Sequence, residues 1–254
     1  MPSKQDYIAV FDSGVGGISV LRELCKLMPD ENYLYFGDCA NAPYGERTTQ
    51  QVRQLTLAAA ESLIGRGIKA LVIACNTATA AAITMLRQTY PDTIIIGIEP
   101  ALKLAADCFP HGRIGVMATQ VTLREEKFAH QLERFPHVQV DLIPAPGLVE
   151  LIEAGMADSK QAEDLLRPIL TPYIGKLDAL VLGCTHYPFA RKTIQTILGP
   201  DTVLMDGSEG TARQTKRCLE NAGLLSEGPG SVRMESSSAD PGQIALAMTL
   251  LGNE

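Results

Sequence analysis

The sequence predicts an α/β protein of two pseudo-symmetric lobes, each a mostly parallel sheet flanked by helices, with the site in the cleft between them. Three observations carry this prediction. Short, nearly continuous apolar runs alternate with longer helical patterns, as expected for strands buried on both faces and joined by right-handed crossovers. Two of those runs recur in order at nearly one offset. Ile8-Ala9-Val10-Phe11 returns 106 residues on as Ile114-Gly115-Val116-Met117, and Leu71-Val72-Ile73-Ala74-Cys75 returns 109 residues on as Leu180-Val181-Leu182-Gly183-Cys184. Finally, 254 residues with 46% hydrophobic content can build one large domain or two of roughly 100–130 residues.

The elements follow in order. Tyr7–Phe11 reads as a strand, ended by Asp12-Ser13 and the turn glycines Gly14, Gly16 and Gly17, which lead into a helix near 17–28. The aromatic run Tyr33–Gly37 is a second strand, followed by a helix near 48–65. Ala70–Ala74 is a third strand, closed by Cys75, and an Ala-rich helix spans about 77–90. Thr93–Ile98 is a fourth. The second lobe repeats the scheme with strands Arg113–Met117, Gln139–Ile143, Leu177–Leu182 and Thr202–Met205, and helices near 122–134, 158–175, 187–197 and 208–224. A polar, Gly-rich break at Ser226 to Gly230 precedes a candidate edge strand, Ser231–Glu235. Asp240-Pro241 has the form of an N-cap with Pro at the first helical position, opening a last helix to Leu251. That tail is expected to pack on the first lobe. The expected division is therefore residues 1–97 plus 208–254 as the lobe carrying Cys75, and residues 98–207 as the lobe carrying Cys184.

Charge narrows the function. A net charge of −7 with no basic run longer than two residues argues against general nucleic-acid binding, which needs clustered Lys and Arg. No apolar run approaches the roughly 20 residues of a membrane helix, and no secretory signal is evident. A cytoplasmic enzyme is the expectation. In that reducing compartment the six cysteines form no disulfide framework, and their spacing from the four histidines does not suit zinc. Cys25, Cys108 and Cys218 lie in helical patterns and read as structural. His111, His130 and His137 lie in polar stretches and read as solvated.

In open α/β sheets, ligands sit beyond the carboxyl ends of the strands. The polar residues there are Asp12 and Ser13, Asp38, Cys75-Asn76-Thr77, Thr119 and Thr122, and Cys184-Thr185-His186. Each cysteine ends a strand and opens a helix, where the amide dipole favours a thiolate. Each lobe supplies one. Covalent catalysis needs a single thiol, and a redox pair needs sulfurs about 2 Å apart. Two thiols on opposite walls suit inversion at one carbon: one removes a proton and the other returns one from the far face. His186, two residues from Cys184, reads as its partner, and Asp12 as the equivalent for Cys75. The amide-rich turn at Gly14 to Gly17 suits an anion such as a carboxylate. Thr77, Thr119, Thr122 and Thr185 can donate hydroxyls, or cap helices. Asp12 or Glu150 can hold an ammonium.

These motifs have a precedent. Phe11-Asp12-Ser13-Gly14-Val15-Gly16-Gly17, Tyr35-Phe36-Gly37-Asp38, Pro43-Tyr44-Gly45-Glu46-Arg47-Thr48, Ala74-Cys75-Asn76-Thr77-Ala78, Pro146-Gly147-Leu148-Val149-Glu150 and Leu182-Gly183-Cys184-Thr185-His186-Tyr187-Pro188 together resemble the glutamate racemase family of the aspartate/glutamate racemase superfamily, over about residues 7 to 225. The resemblance implies cofactor-independent interconversion of L- and D-glutamate for peptidoglycan synthesis. It implies that Cys75 acts on D-glutamate and Cys184 on L-glutamate. It also implies that Asp12, Ser13, Tyr44, Gly45, Asn76, Thr77, Thr185 and His186 contact substrate or assist the thiols, with Glu150 and Asp38 as further candidates. Members of the family are often dimers. With no pyridoxal phosphate evident as an electron sink, fixed donors in a dry cleft must stabilise the carbanion, so the lobes are expected to close on substrate. Rival readings are a racemase of aspartate or a hydantoin, a non-catalytic amino-acid-binding protein, and a hydrolase using one cysteine with a base.

Overall fold

The computed structural model describes residues 2–99, 101–124 and 132–252. Among them are two parallel sheets flanked by helices, one for each of the two lobes expected. The first sheet contains β1 (Ile8–Asp12), β2 (Asn32–Gly37), β3 (Ala70–Ile73), β4 (Ile94–Gly97) and β9 (Ser231–Ser236), in the order β4-β3-β1-β2-β9. The second contains β5 (Arg113–Ala118), β6 (Gln139–Pro144), β7 (Ala179–Leu182) and β8 (Val203–Asp206), in the order β6-β5-β7-β8. Every pairing is parallel.

The internal repeat is visible in the register. Ile8 lies opposite Ala70 in the first sheet, and Ile114 lies opposite Ala179 in the second. These are the two offsets seen in the sequence. The order β4-β3-β1-β2 is matched by β8-β7-β5-β6, so the cysteines two residues beyond β3 and β7 occupy equivalent positions.

The helices are α1 (Ile18–Leu27), α2 (Thr49–Ile64), α3 (Asn76–Thr89), α4 (Leu102–Cys108), α5 (Gln120–Arg124), α6 (Leu148–Glu153), α7 (Lys160–Leu170), α8 (Arg191–Leu198), α9 (Ser208–Ala222) and α10 (Pro241–Gly252). Local chemistry sets their ends. Thr48 and Gln51 form a capping box at α2. The Ala78 amide donates to Cys75 Sγ at 3.4 Å, so the thiol itself caps α3. Asp240 accepts from the Gly242 amide at the start of α10, as its position before Pro241 suggests.

Four departures from the sequence reading have local causes. The helix expected over 158–175 ends at Leu170, because Pro172 turns the next residues into a 3₁₀ turn. Pro188 likewise makes Tyr187–Ala190 a 3₁₀ turn ahead of α8. Helices α4 and α6 are too short to show a full apolar period and were not anticipated. Of the helix expected near 122–134, α5 is seen; residues 125–131, with His130, lie outside the described residues.

Each sheet has apolar clusters on both faces. Ile8 and Val10 of β1 face α1, α9 and α10, whereas Ala9 and Phe11 face α2 and α3. All five β1 residues are buried, which explains why the strand lacks polar alternation. The second sheet is covered on one face by Leu148, Ile152, Leu166, Leu170 and Ile194, and on the other by Leu102, Ala105 and Ala106. Leu219 and Ala247 join the first-sheet core, so the tail packs there. Of the cysteines read as structural, Cys25 and Cys218 are half-buried but Cys108 is exposed at the end of α4.

One polar element lies inside the first lobe. Lys69, just before β3, is fully buried and ion-paired to buried Glu31. Its Nζ also donates to the carbonyls of Lys4 (2.5 Å) and Leu224 (3.0 Å), and Glu31 Oε1 accepts from the Ser226 amide at 2.9 Å. The pair thus joins the N-terminal segment, the approach to β2 and the segment after α9.

Candidate active site

The strand ends place Cys75 and Cys184 in one cleft, lined also by Ser13, Tyr44, Gly45, Asn76, Thr77, Thr119, Thr185 and His186. The remaining space is about 20 Å³, room for roughly one water molecule. Both sulfurs are buried. The cleft is closed by bonds between lobes. Thr185 Oγ1 donates to Asp12 Oδ2 at 3.0 Å, and the Val15 amide donates to Glu153 Oε1 at 2.8 Å. Thr77 Oγ1 lies 3.1 Å from Thr119 Oγ1 and 3.2 Å from Thr122 Oγ1.

Cys75 is held by Ser13, whose Oγ lies 3.5 Å from Sγ, and by the Ala78 amide. Burial, with the charge of nearby Asp12, pushes its thiol up to about 12. This reverses the expectation from the helix terminus, and magnitudes show why. The displacement corresponds to roughly 4 kcal/mol, whereas a helix terminus offers about 2 kcal/mol at most. Asp12 acts on Cys75 through its charge. Its hydrogen bonds go to the Gly14 amide (3.0 Å) and Thr185.

Burial raises the Asp12 carboxyl to about 6, against the opposing pull of His186. Because the folded value lies above the unfolded one, the folded chain holds the extra proton, and the closed cleft loses stability as pH rises from about 4 to about 6. At neutral pH the loss is roughly 3 kcal/mol. A cation beside Asp12 would recover it. Asn76 Oδ1 is also buried and meets no donor, a second acceptor left open at the cleft.

Around Cys184 the arrangement differs. His186 Nδ1 lies 3.7 Å from Cys184 Sγ, and Nε2 lies 2.6 Å from Glu153 Oε1. Burial works against charge on the imidazole, but the bonds to Cys184 and Glu153 outweigh it and hold the ring well above its ordinary range. Burial likewise opposes charge on Glu153, yet His186 and the Val15 amide hold its carboxyl below its usual value.

The structure brings Asp12, Ser13, Tyr44, Gly45, Asn76, Thr77, Thr119, Thr122, Thr185 and His186 together around the thiols. Tyr44 points its hydroxyl away, to Asp38 Oδ2 at 2.6 Å, so Asp38 supports the wall from behind. Glu150 is not brought in; it is exposed on α6. Glu153, on the same helix, reaches His186 instead. Sequence reasoning missed it for want of a recognised helix. Val149 lines the cleft, and Glu153 lies four residues on, on the same helical face.

The glycines of the first turn permit this closeness. A Cβ on Gly16 would lie 2.4 Å from His186 Nδ1 and 2.6 Å from Thr185 Oγ1, and one on Gly14 only 1.9 Å from Glu153 Oε1. Gly16→Ala is therefore expected to leave the lobes folded but hold them apart. Steady-state kinetics should show kcat/KM falling roughly 100-fold, the scale of a 1 Å misplacement, with little change in melting temperature.

Comparison with known proteins gives the family. Residues 18–215 match the family described as Asp/Glu/Hydantoin racemase. The chain is 50% identical over 222 residues, 87% of its length and 85% of the relative's, to a glutamate racemase of Clostridium perfringens. It is similar to the structure of a glutamate racemase of Francisella tularensis in complex with D-glutamate, with TM-score 0.87 and 28% identity over 99% of this chain and 95% of that one. It is also similar to the Escherichia coli glutamate racemase in complex with L-glutamate and the activator UDP-MurNAc-Ala, with TM-score 0.86 and 31% identity over 97% and 94%.

Proposed function

The chain belongs to the glutamate racemases of the Asp/Glu/hydantoin racemase family, and we propose that it racemises glutamate with one thiol on each face of the α-carbon. It interconverts L- and D-glutamate, and the D-enantiomer serves peptidoglycan synthesis. The observation that carries the two-thiol mechanism is the equivalent placement of Cys75 and Cys184 at repeat-related strand ends facing one cleft.

Cys184 removes the α-proton of L-glutamate and Cys75 that of D-glutamate; each thiol returns a proton for the other. The ligand-free cleft is set unequally for this. Cys75 stands as a protonated acid, while an imidazolium stands ready beside Cys184. The substrate ammonium meets Asp12 and Asn76 Oδ1. Its α-carboxylate takes the hydroxyls of Ser13, Thr77 and Thr185 and the amides at the head of α3. Those fixed donors stabilise charge as it moves onto the carboxylate. Because the closed cleft has no space for glutamate, the lobes must part. We place the division at residues 1–97 plus 208–254 and 98–207. Where the chain crosses between them, Gly207 lies so close to Glu99 that a Cβ would sit 2.3 Å from the carbonyl oxygen. Six unbridged cysteines, Cys75 and Cys184 of the cleft among them, suit a cytoplasmic setting. No helix among the described residues is long and apolar enough to cross a membrane. We also propose a homodimer.

Optical rotation of L-glutamate decaying to zero on incubation with the chain, and no change with L-aspartate, tests the substrate; equal action on both would sink the specificity. Glu153→Gln tests the role of the carboxylate behind His186. A bond to a charged group contributes about 1.5–3 kcal/mol, so kcat should fall roughly 10- to 100-fold. Without the carboxylate the imidazolium loses its proton at lower pH, so the pH-rate limb set by His186 should move to the acid side. A limb that stays in place would show that Glu153 does not hold that charge.

A further inference from the structure

The hydrogen bonds around Cys184 run past the cleft and into the other lobe. Tyr35 of β2 is buried, and its hydroxyl donates to the Gly14 carbonyl at 2.6 Å. The other end of that same peptide unit, the Val15 amide, donates to Glu153 Oε1 at 2.8 Å. This carboxylate oxygen also lies 2.6 Å from His186 Nε2, and His186 Nδ1 lies 3.7 Å from Cys184 Sγ. Tyr35 and the Gly14–Val15 turn belong to the side of the first sheet, whereas Glu153, His186 and Cys184 belong to that of the second. Tyr35 stands behind the cleft wall, among Ile8, Val10 and Val15 of the core.

On the two-thiol mechanism proposed above, we infer that Tyr35 is a positioning residue for the Cys184 base: it aims the Gly14–Val15 peptide across the cleft, so that closure of the lobes completes the Glu153–His186–Cys184 array. A trans peptide unit is a rigid plane whose carbonyl oxygen and amide hydrogen point opposite ways. Fixing the oxygen therefore fixes the direction of the N–H. The Gly14 oxygen is held from two sides. Tyr35 donates to it, and Gly37 lies so near that a Cβ there would stand 2.7 Å away. Without that hold, a turn built on glycine leaves the peptide many orientations. Donation to the carbonyl also polarises the unit and strengthens its N–H as a donor. Cys75 needs no such device, because the two groups bonded to its sulfur, Ser13 and the Ala78 amide, come from its own lobe. The Cys184 array is complete only when the lobes meet. As they part to admit glutamate, Glu153 loses the Val15 amide, and closing over the substrate restores it.

A double-variant cycle tests this, with kcat/KM for L-glutamate measured on purified full-length chains. Tyr35→Phe keeps the buried ring and removes only the hydroxyl. It should lower kcat/KM roughly 10-fold, the scale of one buried hydrogen bond. In the Glu153→Ala background the Val15 amide has no carboxylate to meet, so the same change should lower kcat/KM by less than about twofold, the mark of two residues acting through one contact. A hydroxyl that merely steadied the fold would slow both backgrounds alike. An unaltered rate for Tyr35→Phe, or a similar loss in both backgrounds, would overturn the inference. Failure of the two-thiol mechanism would look different: racemisation would survive the loss of Cys75 or Cys184, whatever the Tyr35 variants did.

Discussion

Serine in place of Cys75 or Cys184 is expected to lower racemisation about 10⁴-fold, the upper end of what one positioned acid–base group contributes. Both variants should fail in both directions, because each direction needs one thiol to take the proton and the other to give one. Serine is the informative replacement. At Cys75 the sulfur caps α3 through the Ala78 amide, and a serine hydroxyl preserves that cap, whereas alanine forfeits about 1 kcal/mol of helix stability. Retained melting temperature with lost activity therefore isolates the chemistry. If either serine variant racemised glutamate at the unaltered rate, that cysteine would be a structural thiol and the cleft would need another base.

The second large effect concerns stability. Lys69→Met should destabilise the chain by about 3–5 kcal/mol, since Glu31 is left buried and uncompensated. In a chain of this size that lowers the melting temperature by roughly 10 °C. Replacing both partners, as Lys69→Met with Glu31→Leu, should recover most of the loss, because a buried ion pair contributes little beyond its own desolvation. Equal melting temperatures for the single and double variants would show that the bonds from Lys69 to Lys4 and Leu224 matter, and the pair itself does not.

Lys69 also marks where the sequence stops being legible. Lysine is almost never fully buried, so nothing in a single chain distinguishes Lys69 from a solvated residue before a strand. The strands themselves are readable, because β1, β3, β5 and β7 lie between two helical layers and so become nearly unbroken apolar runs. Cys75 and Cys184 are readable for a related reason: each follows such a run directly, and the runs repeat. His186 is readable from its distance to Cys184 along the chain. Glu153 is not, because its partner is 33 residues away and α6 is too short to announce its faces. The same short helix made Glu150 seem the acid for the site, although it points to solvent. The closeness of Gly14 and Gly16 to the opposite lobe belongs to a contact between lobes, which local patterns do not encode. Nor does the chain order reveal that burial, rather than a helix dipole, governs the Cys75 thiol.

The two-thiol mechanism is tested most directly by racemisation in deuterium oxide, stopped at low conversion, with each enantiomer isolated and its α-position analysed by mass. If one thiol removes the proton and the other delivers a solvent-derived one, the D-glutamate formed from L-glutamate carries deuterium and the remaining L-glutamate carries almost none. The same holds in reverse from D-glutamate. Deuterium entering substrate as fast as product, or product that keeps the original α-proton, would mean that a single base serves both faces, and would contradict the assignment of Cys75 and Cys184 to opposite faces of the carbon.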